Sequence, residues 1–295
     1  MKLRNFKSYN KFIISCLKNN LRFGDLCRSI RRINKSDYSF SIRLSFIKTY
    51  ILTWCKSIFF LGRKEKYYIR LLDYKVSTFN YKMFLFIFEE IFVEQDYGFK
   101  TDTDSPIIID GGANLGLATL YFKWKYPKSS VICFEPDPNI FELLCDNIAQ
   151  NHLNSVTTIN AAICDFKGEI SFYSSYSRYS WNSGVGSIFQ ERINSDKKIQ
   201  VASVLLSEYI TCRIDLLKLD IEGAEQSVVE ELIKADKMKL INEFKIEYHH
   251  RVGGNKSQLS LFLKRFEDHD FEYQLRSSFA QPNVTQDILI HFYRN

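Results

Sequence analysis

From Pro106 onward the chain alternates short β-rich apolar runs with stretches of helical pattern, and no other feature limits its fold so tightly. Strands separated by helices lie parallel, because the chain crosses over a helix before rejoining the sheet. The runs are Ile107 to Asp110, Val131 to Glu135, Val156 to Ala162, Leu216 to Asp220, Glu243 to His249, Phe271 to Arg276 and Asp287 to Tyr293. Helical stretches follow at Leu115 to Lys125, Ile140 to Asn151, Ala224 to Ala235 and Gln258 to Asp268. The last connection, Ser277 to Gln286, includes Pro282 and has no room for a helix, so the final strand is expected to return antiparallel. Gly168 to Tyr173 reads as a short extra strand, and Ser174 to Ser195 as a polar and aromatic loop. The expectation is an α/β fold with a seven-stranded, mostly parallel sheet.

Charge divides the chain differently. The net charge is +6, yet residues 1–88 hold 19 Lys and Arg against 4 Asp and Glu, leaving the remainder at 6 − 15 = −9. A basic first third favours an anionic surface such as a membrane, or simply forms a solvated helical cap. Ile47, Ile51, Trp54 and Ile58 recur at helical spacing there among Arg43, Lys48 and Lys56, predicting an amphipathic helix. Residues 1–84 are therefore read as a basic, mainly helical region capable of peripheral contact with an anionic membrane, and 85–295 as the α/β domain. The seven cysteines form no Cys-x-x-Cys pair, and the longest early apolar stretch, Phe12 to Leu17, is too short for a signal-peptide core. A cytoplasmic protein is expected.

The chemistry points to Asp110-Gly111-Gly112-Ala113-Asn114-Leu115-Gly116, a strand running through a glycine-dense turn into a helix. Glycines admit close backbone approach, and a helix start presents amides and a partial positive charge. Gly111, Gly112 and Gly116 do not fit Gly-x-Gly-x-x-Gly, and Asp110 would repel a pyrophosphate, so an amino-acid-bearing ligand suits the turn better than a dinucleotide. Glu135 closes the second strand 19 residues beyond Gly116, where an acid reaches ribose hydroxyls in nucleoside-binding folds.

These elements together resemble the FkbM family of methyltransferases: Asp110 to Gly116, Phe134-Glu135-Pro136, Asn160 to Asp165 ahead of Gly168, and Lys218-Leu219-Asp220-Ile221-Glu222-Gly223-Ala224-Glu225. The stretch Glu90 to Tyr97 is similar to that family's lead-in, so the resemblance covers about residues 85–295. It implies a class I methyltransferase (Rossmann-like) fold, with S-adenosylmethionine over Asp110, Gly112, Asn114 and Gly116, its ribose on Glu135 and its adenine near Ala161 and Ala162. Gly111 stands where such proteins often carry a small aliphatic residue, a departure expected to cost packing. The resemblance also implies O-methylation of a sugar, glycan or glycan-like natural product.

Ligands of open α/β sheets sit at the carboxyl ends of the strands, where Asp110, Glu135, Ala162, Asp220 and His249 converge. His249 or Asp220 is the expected general base, with Glu222 and Glu247 orienting the acceptor. The same residue types would alternatively hold a divalent metal that acidifies the acceptor hydroxyl. Acids are in any case favoured where a helix begins, which accounts equally for Glu222 and Glu225. The loop Tyr176 to Phe189, with Tyr179, Trp181, Gly184, Gly186 and Ser187, is a candidate lid over the acceptor. A second function class is a non-catalytic module of the same fold, docked to a membrane or protein through the basic region. Nucleic acid is disfavoured as a partner because the site is acidic. The sequence does not specify an oligomeric state.

Overall fold

The computed structural model describes residues 23–59, 66–174, 186–190, 197–252, 258–277 and 286–294. Helices α1 (Phe23–Lys35) and α2 (Phe40–Phe59) lead into a hairpin of β1 (Tyr67–Leu71) and β2 (Tyr74–Thr78), then α3 (Tyr81–Phe88), which continues as a π-helical turn over Glu89–Val93. Asn80 caps α3 by accepting from the amides of Lys82 and Met83. The α/β unit follows: β3 (Ile107–Gly111), α4 (Leu117–Lys125), β4 (Ser130–Phe134), α5 (Pro138–Gln150) and β5 (Val156–Ile159). Next come β6 (Ala162–Cys164), β7 (Gly168–Ser174), β8 (Gly186–Ser187), β9 (Lys198–Leu205), β10 (Ile214–Leu219) and α6 (Glu225–Lys234). The chain closes with β11 (Ile241–His250), α7 (Leu259–Glu267), β12 (Glu272–Arg276) and β13 (Gln286–Tyr293).

The main sheet has the expected seven strands, in the order β12-β13-β11-β10-β3-β4-β5. Strands β11, β10, β3, β4 and β5 are mutually parallel, and β13 runs antiparallel to both neighbours. This is the class I methyltransferase fold. Alternation along β3 sends Ile108 to one face, with α4 and α5, and Ile109 to the other, with α6 and α7.

Three expectations need correction. The run Val156 to Ala162 is not one strand: it breaks after Ile159, where Asn160 Nδ2 donates to the carbonyls of Glu135 and Pro136 at 2.8 and 3.1 Å. The chain then enters a second, four-stranded sheet, β6-β9-β7-β8. Strand β9 was not anticipated, although Val201 and Ser203 alternate inward there between exposed neighbours. The described part of the basic region, 23–59 and 66–84, is mainly helical but also holds the β1-β2 hairpin, bound to α5 through Asn147, whose Oδ1 accepts from Ser77 N at 2.6 Å.

Helix α2 forms where its period predicted, turned about its axis. Its buried line is Phe46, Thr49, Tyr50, Thr53 and Ser57, while Ile47, Ile51 and Trp54 are half-buried flanks. Phe46 meets Phe88 and Phe92 edge-on, with centroids 5.3 and 5.9 Å apart, and Phe92 meets Tyr121 of α4 at 5.4 Å. A single cluster of buried side chains thus runs from Leu26 through Phe92 to Leu216, straight across the boundary read at residue 84. No helix among the described residues is long and apolar enough to cross a membrane.

Candidate active site

The exits of β3, β4 and β10 frame a cleft, open to solvent, lined by Gly112, Asn114, Glu135, Asp137, Ala161, Ala162, Asp220 and Glu222, with Ile163, Phe172 and Ile188 as apolar walls. Gly112 and Gly116 take φ values of 76° and 89°, and Asn114, though not glycine, takes 51°. A Cβ on Gly112 would lie 1.8 Å from the carbonyl oxygen of Asp220, so the exits of β3 and β10 touch there and only glycine fits. At Gly111 a Cβ would fall 2.9 Å from both Ile163 and Leu219, whose side chains occupy the place of the expected aliphatic residue. The departure at Gly111 is compensated rather than costly.

The turn works differently from the expectation of open amides. Gly112 N and Ala113 N donate to Phe134 O at 3.0 and 2.8 Å, and Gly116 N donates to Ala113 O at 2.9 Å. Asn114 N donates to Glu135 Oε2 at 3.0 Å, and Leu115 N to Asn114 Oδ1 at 2.7 Å. Three of these amides hold the β3 and β4 exits together and two close the turn on itself, so the turn offers shape and carboxylates instead. Asp110 lies beneath the cleft: it is fully buried, accepts from Thr119 Oγ1 at 2.9 Å, and pairs with Lys218 Nζ at 3.2 Å. Lys218 also donates to the carbonyls of Gly111 and Gly112 at 3.2 and 2.7 Å. Burial opposes its charge, but Asp110 and Asp220 outweigh burial and raise its pKa above the usual lysine value.

Glu135 stands at the middle of the cleft. Its Oε1 accepts from Asp137 N at 2.9 Å, and burial pushes its carboxyl up to about 8 against the lowering effect of its amide partners. Asp137 caps α5 and takes a short hydrogen bond from Ser174 Oγ. No lysine or arginine is among the cleft-lining residues described, an arrangement suited to a cationic amino-acid nucleoside and hostile to a pyrophosphate.

The second half of the rim gathers Asp220, Glu222, Glu247 and His249. Glu222 adopts φ 56°, and its carbonyl accepts from Ser187 Oγ at 2.6 Å. His249 has its side chain fully enclosed, with Nδ1 2.8 Å from Glu225 Oε1 and Nε2 3.2 Å from Glu222 Oε2. Burial disfavours its charge, but Glu225, Glu222 and Glu247 together raise its pKa to about 10. Glu247 is pushed up to about 8 by burial and by Asp220. Glu225 is more than a helix-start acid: it is 1% exposed and accepts from the amides of Gly223 and Ile221 at 3.0 and 3.3 Å.

Several residues at this site escaped the sequence reading as functional groups. Tyr97 donates its hydroxyl to Asp220 Oδ2 at 3.2 Å beneath Lys218, and Glu90, in the π-helical turn, is driven to about 9 by burial and by the charges of Glu247 and Asp220. Lys218 carried a usable signal, since a lysine inside the apolar run Ile214–Leu219 needs a buried partner. Tyr176, Tyr179, Trp181 and Gly184 of the expected lid lie outside the described residues, whereas Gly186 and Ile188 line the cleft.

A family model described as Methyltransferase FkbM domain matches residues 110–273. Methyltransferase sdnD of Sordaria araneosa is 29% identical over 190 residues, covering 55% of this chain and 72% of that protein. 2-O-methyltransferase NoeI of Sinorhizobium fredii is 30% identical over 139 residues, covering 42% of this chain and 56% of that protein. Methyltransferase FkbM from Methylobacillus flagellatus, a solved structure, is 16% identical with a TM-score of 0.46, over 66% of this chain and 45% of that one. The chain thus spans 72% of one of these proteins and only 56% and 45% of the other two. Since the matched segment fills more than half of the 295 residues and takes in the glycine turn, Glu135, Asp220 and His249 together, this chain belongs to the FkbM family of methyltransferases.

Proposed function

We propose that the protein transfers a methyl group from S-adenosylmethionine to a hydroxyl of a sugar or glycan-like acceptor. The observation that carries this reading is the continuity of the cleft at Gly112, Asn114 and Glu135 with the acidic rim at Asp220 and Glu222. S-adenosylmethionine supplies an electrophilic methyl group on a sulfonium centre. Asp220 and Glu222 suit the positive charge at one end, Glu135 is placed for ribose hydroxyls, and Ala161, Ala162, Phe172 and Ile188 offer an apolar slot for a base. The name of the 2-O-methyltransferase NoeI is in keeping with an oxygen acceptor.

The hydroxyl proton must leave as the methyl arrives in line. The fully enclosed His249 side chain does not reach an acceptor, so the place as base passes to Asp220, a quarter exposed on the cleft wall. Glu222 and Glu247 then orient the acceptor. Calorimetric titration of the purified chain with S-adenosylmethionine tests the cofactor assignment; absence of binding by folded protein would overturn it. Mass spectrometry of cellular glycans with and without the protein tests the acceptor class, which fails if no species differs by a methylene unit.

A second role is favoured by the outer line of α2, where Phe40, Leu44 and Leu52 are 73%, 55% and 52% exposed and Lys48 falls between the two leucines. Apolar contacts flanked by cations suit an anionic bilayer. Phosphatidylserine vesicles should retain the wild type at low salt and release a Phe40→Ser, Leu44→Ser, Leu52→Ser variant; equal retention of both would end this reading.

A further inference from the structure

The two ring nitrogens of His249 face unlike surroundings. Nδ1 meets Glu225, a carboxylate anchored by the amides of Gly223 and Ile221, and this fixes both ring plane and tautomer. Nε2 points the other way, into a nest of acids: Glu222 Oε2 lies at 3.2 Å and Asp287 Oδ1 at 4.0 Å. Yet Nε2, fully buried, makes no hydrogen bond of acceptable geometry. Leaving such an atom unsatisfied costs about 1–3 kcal/mol.

A carboxylate behind one imidazole nitrogen, with the other aimed at further acids and without a hydrogen bond, is the arrangement proteins use to aim histidine at a metal ion. The rest of the donor set agrees. Ligand atoms of Asp220, Glu222 and His249 lie within 4.8 Å of one another, and those of Glu247, His249 and Asp287 do likewise. Octahedral bonds of about 2.1 Å place neighbouring ligands roughly 3 Å apart and opposite ones roughly 4.2 Å apart, within that span. His249 and Asp287 are direct cross-strand partners on β11 and β13, so the second group rests on paired backbone.

We propose that His249 Nε2, Asp220 and Glu222 bind one divalent cation of the Mn²⁺ or Mg²⁺ class, with Glu247 and Asp287 balancing its charge from the far side. Carboxylate-dominated sets with one imidazole favour these hard ions over thiophilic ones. Bound there, at the edge of the cleft, the ion presents open positions toward the space assigned to the acceptor. That last role rests on the methyl-transfer reading; binding of the cation does not.

The full chain, stripped with a chelator, is titrated with MnCl₂ while free Mn²⁺ is followed by electron paramagnetic resonance. The expected result is one Mn²⁺ per wild-type chain, with affinity reduced at least tenfold in both His249→Ala and Asp287→Asn. Glu225→Gln, which leaves the ligand set intact and disturbs only the ring's support, should weaken binding by roughly 10–100-fold. Asp287 sits on an exposed position of β13, so its variant keeps the test decisive if the His249 variant does not fold. No uptake by wild type at millimolar Mn²⁺, or equal uptake by wild type and Asp287→Asn, overturns the proposal. S-adenosylmethionine titration in the same metal-free buffer reads the cofactor assignment separately, so either can fail alone.

Discussion

The two halves of the rim are built from different material. Around the exits of β3 and β4 the site is made of backbone: left-handed glycines, amides turned inward, and a glutamate whose oxygens accept from the amides of Asn114 and Asp137. Around the exits of β10 and β11 it is made of side-chain charge, with His249 surrounded by Glu222, Glu225, Glu247 and Asp287. A backbone-built site is rigid and fails by distortion, whereas a charge-built site keeps its shape and fails by imbalance. Under the proposed reading, the first half selects a ligand by form and the second acts on it by electrostatics.

The largest test of that division falls on the charged half. Asp220→Asn should lower kcat for methyl transfer by about 10²–10⁴-fold, the usual reach of a positioned base, with little change in unfolding free energy. A comparable loss of fold stability would show that Asp220 is structural and erase the contrast. Next is Lys218→Met, which strands buried Asp110 without its cation and should cost about 3–5 kcal/mol in urea unfolding. If Lys218→Met is nearly neutral, the Asp110 pair does not hold the β3 and β10 exits together.

On the backbone half, Gly112→Ala puts a Cβ against the Asp220 carbonyl at a positive φ. The expected cost is about 1–3 kcal/mol of strain together with weakened S-adenosylmethionine binding by calorimetry. Unaltered binding would mean that the turn has more latitude than its geometry allows.

The last test concerns Glu90. Its carboxyl is raised from 4.5 to about 9, so the folded state holds its proton where the unfolded chain has lost it. Stability from this group is complete below the unfolded pKa and drains away as pH climbs through 9. Glu90→Gln should therefore match wild type near pH 4.5 and gain on it steadily up to pH 9. The gain is read as a lead in Tm over wild type that widens from pH 4.5 to pH 9. A constant offset at every pH would show that Glu90 does not titrate in this range.

The same division decided what could be read from the chain. Asp110 to Gly116 is contiguous, and its glycines announce a turn before any coordinates exist, as do strand-closing Glu135 and the alternating runs of the sheet. The charged half is assembled from residues tens or hundreds of positions apart. Glu225 next to His249, Tyr97 under Asp220 and Glu90 facing Glu247 depend on which loops meet, and local pattern does not carry that information. Asp110 shows the converse hazard: the motif identified a functional neighbourhood, but the carboxylate serves Lys218 inside the core. Strand β9 was hidden because polar Ser203 stands on its inward line, and the rotated face of α2 because β-branched, aromatic and polar residues occupy both of its faces.

Phe46, Phe88, Phe92 and Tyr121 interlock across the join between the first helices and the sheet, and Ser29 and Tyr50 both donate to Glu89, one residue before Glu90. The described residues 23–59 and 66–93 thus act as a keel rather than a detachable tail. A fragment cut to the matched segment beginning at Asp110 would lay that aromatic seam open to water and release the partners that set the π-helical turn. Chimeras with relatives should take α2, α3 and α4 from one parent, or they will exchange half of a core for its mismatch.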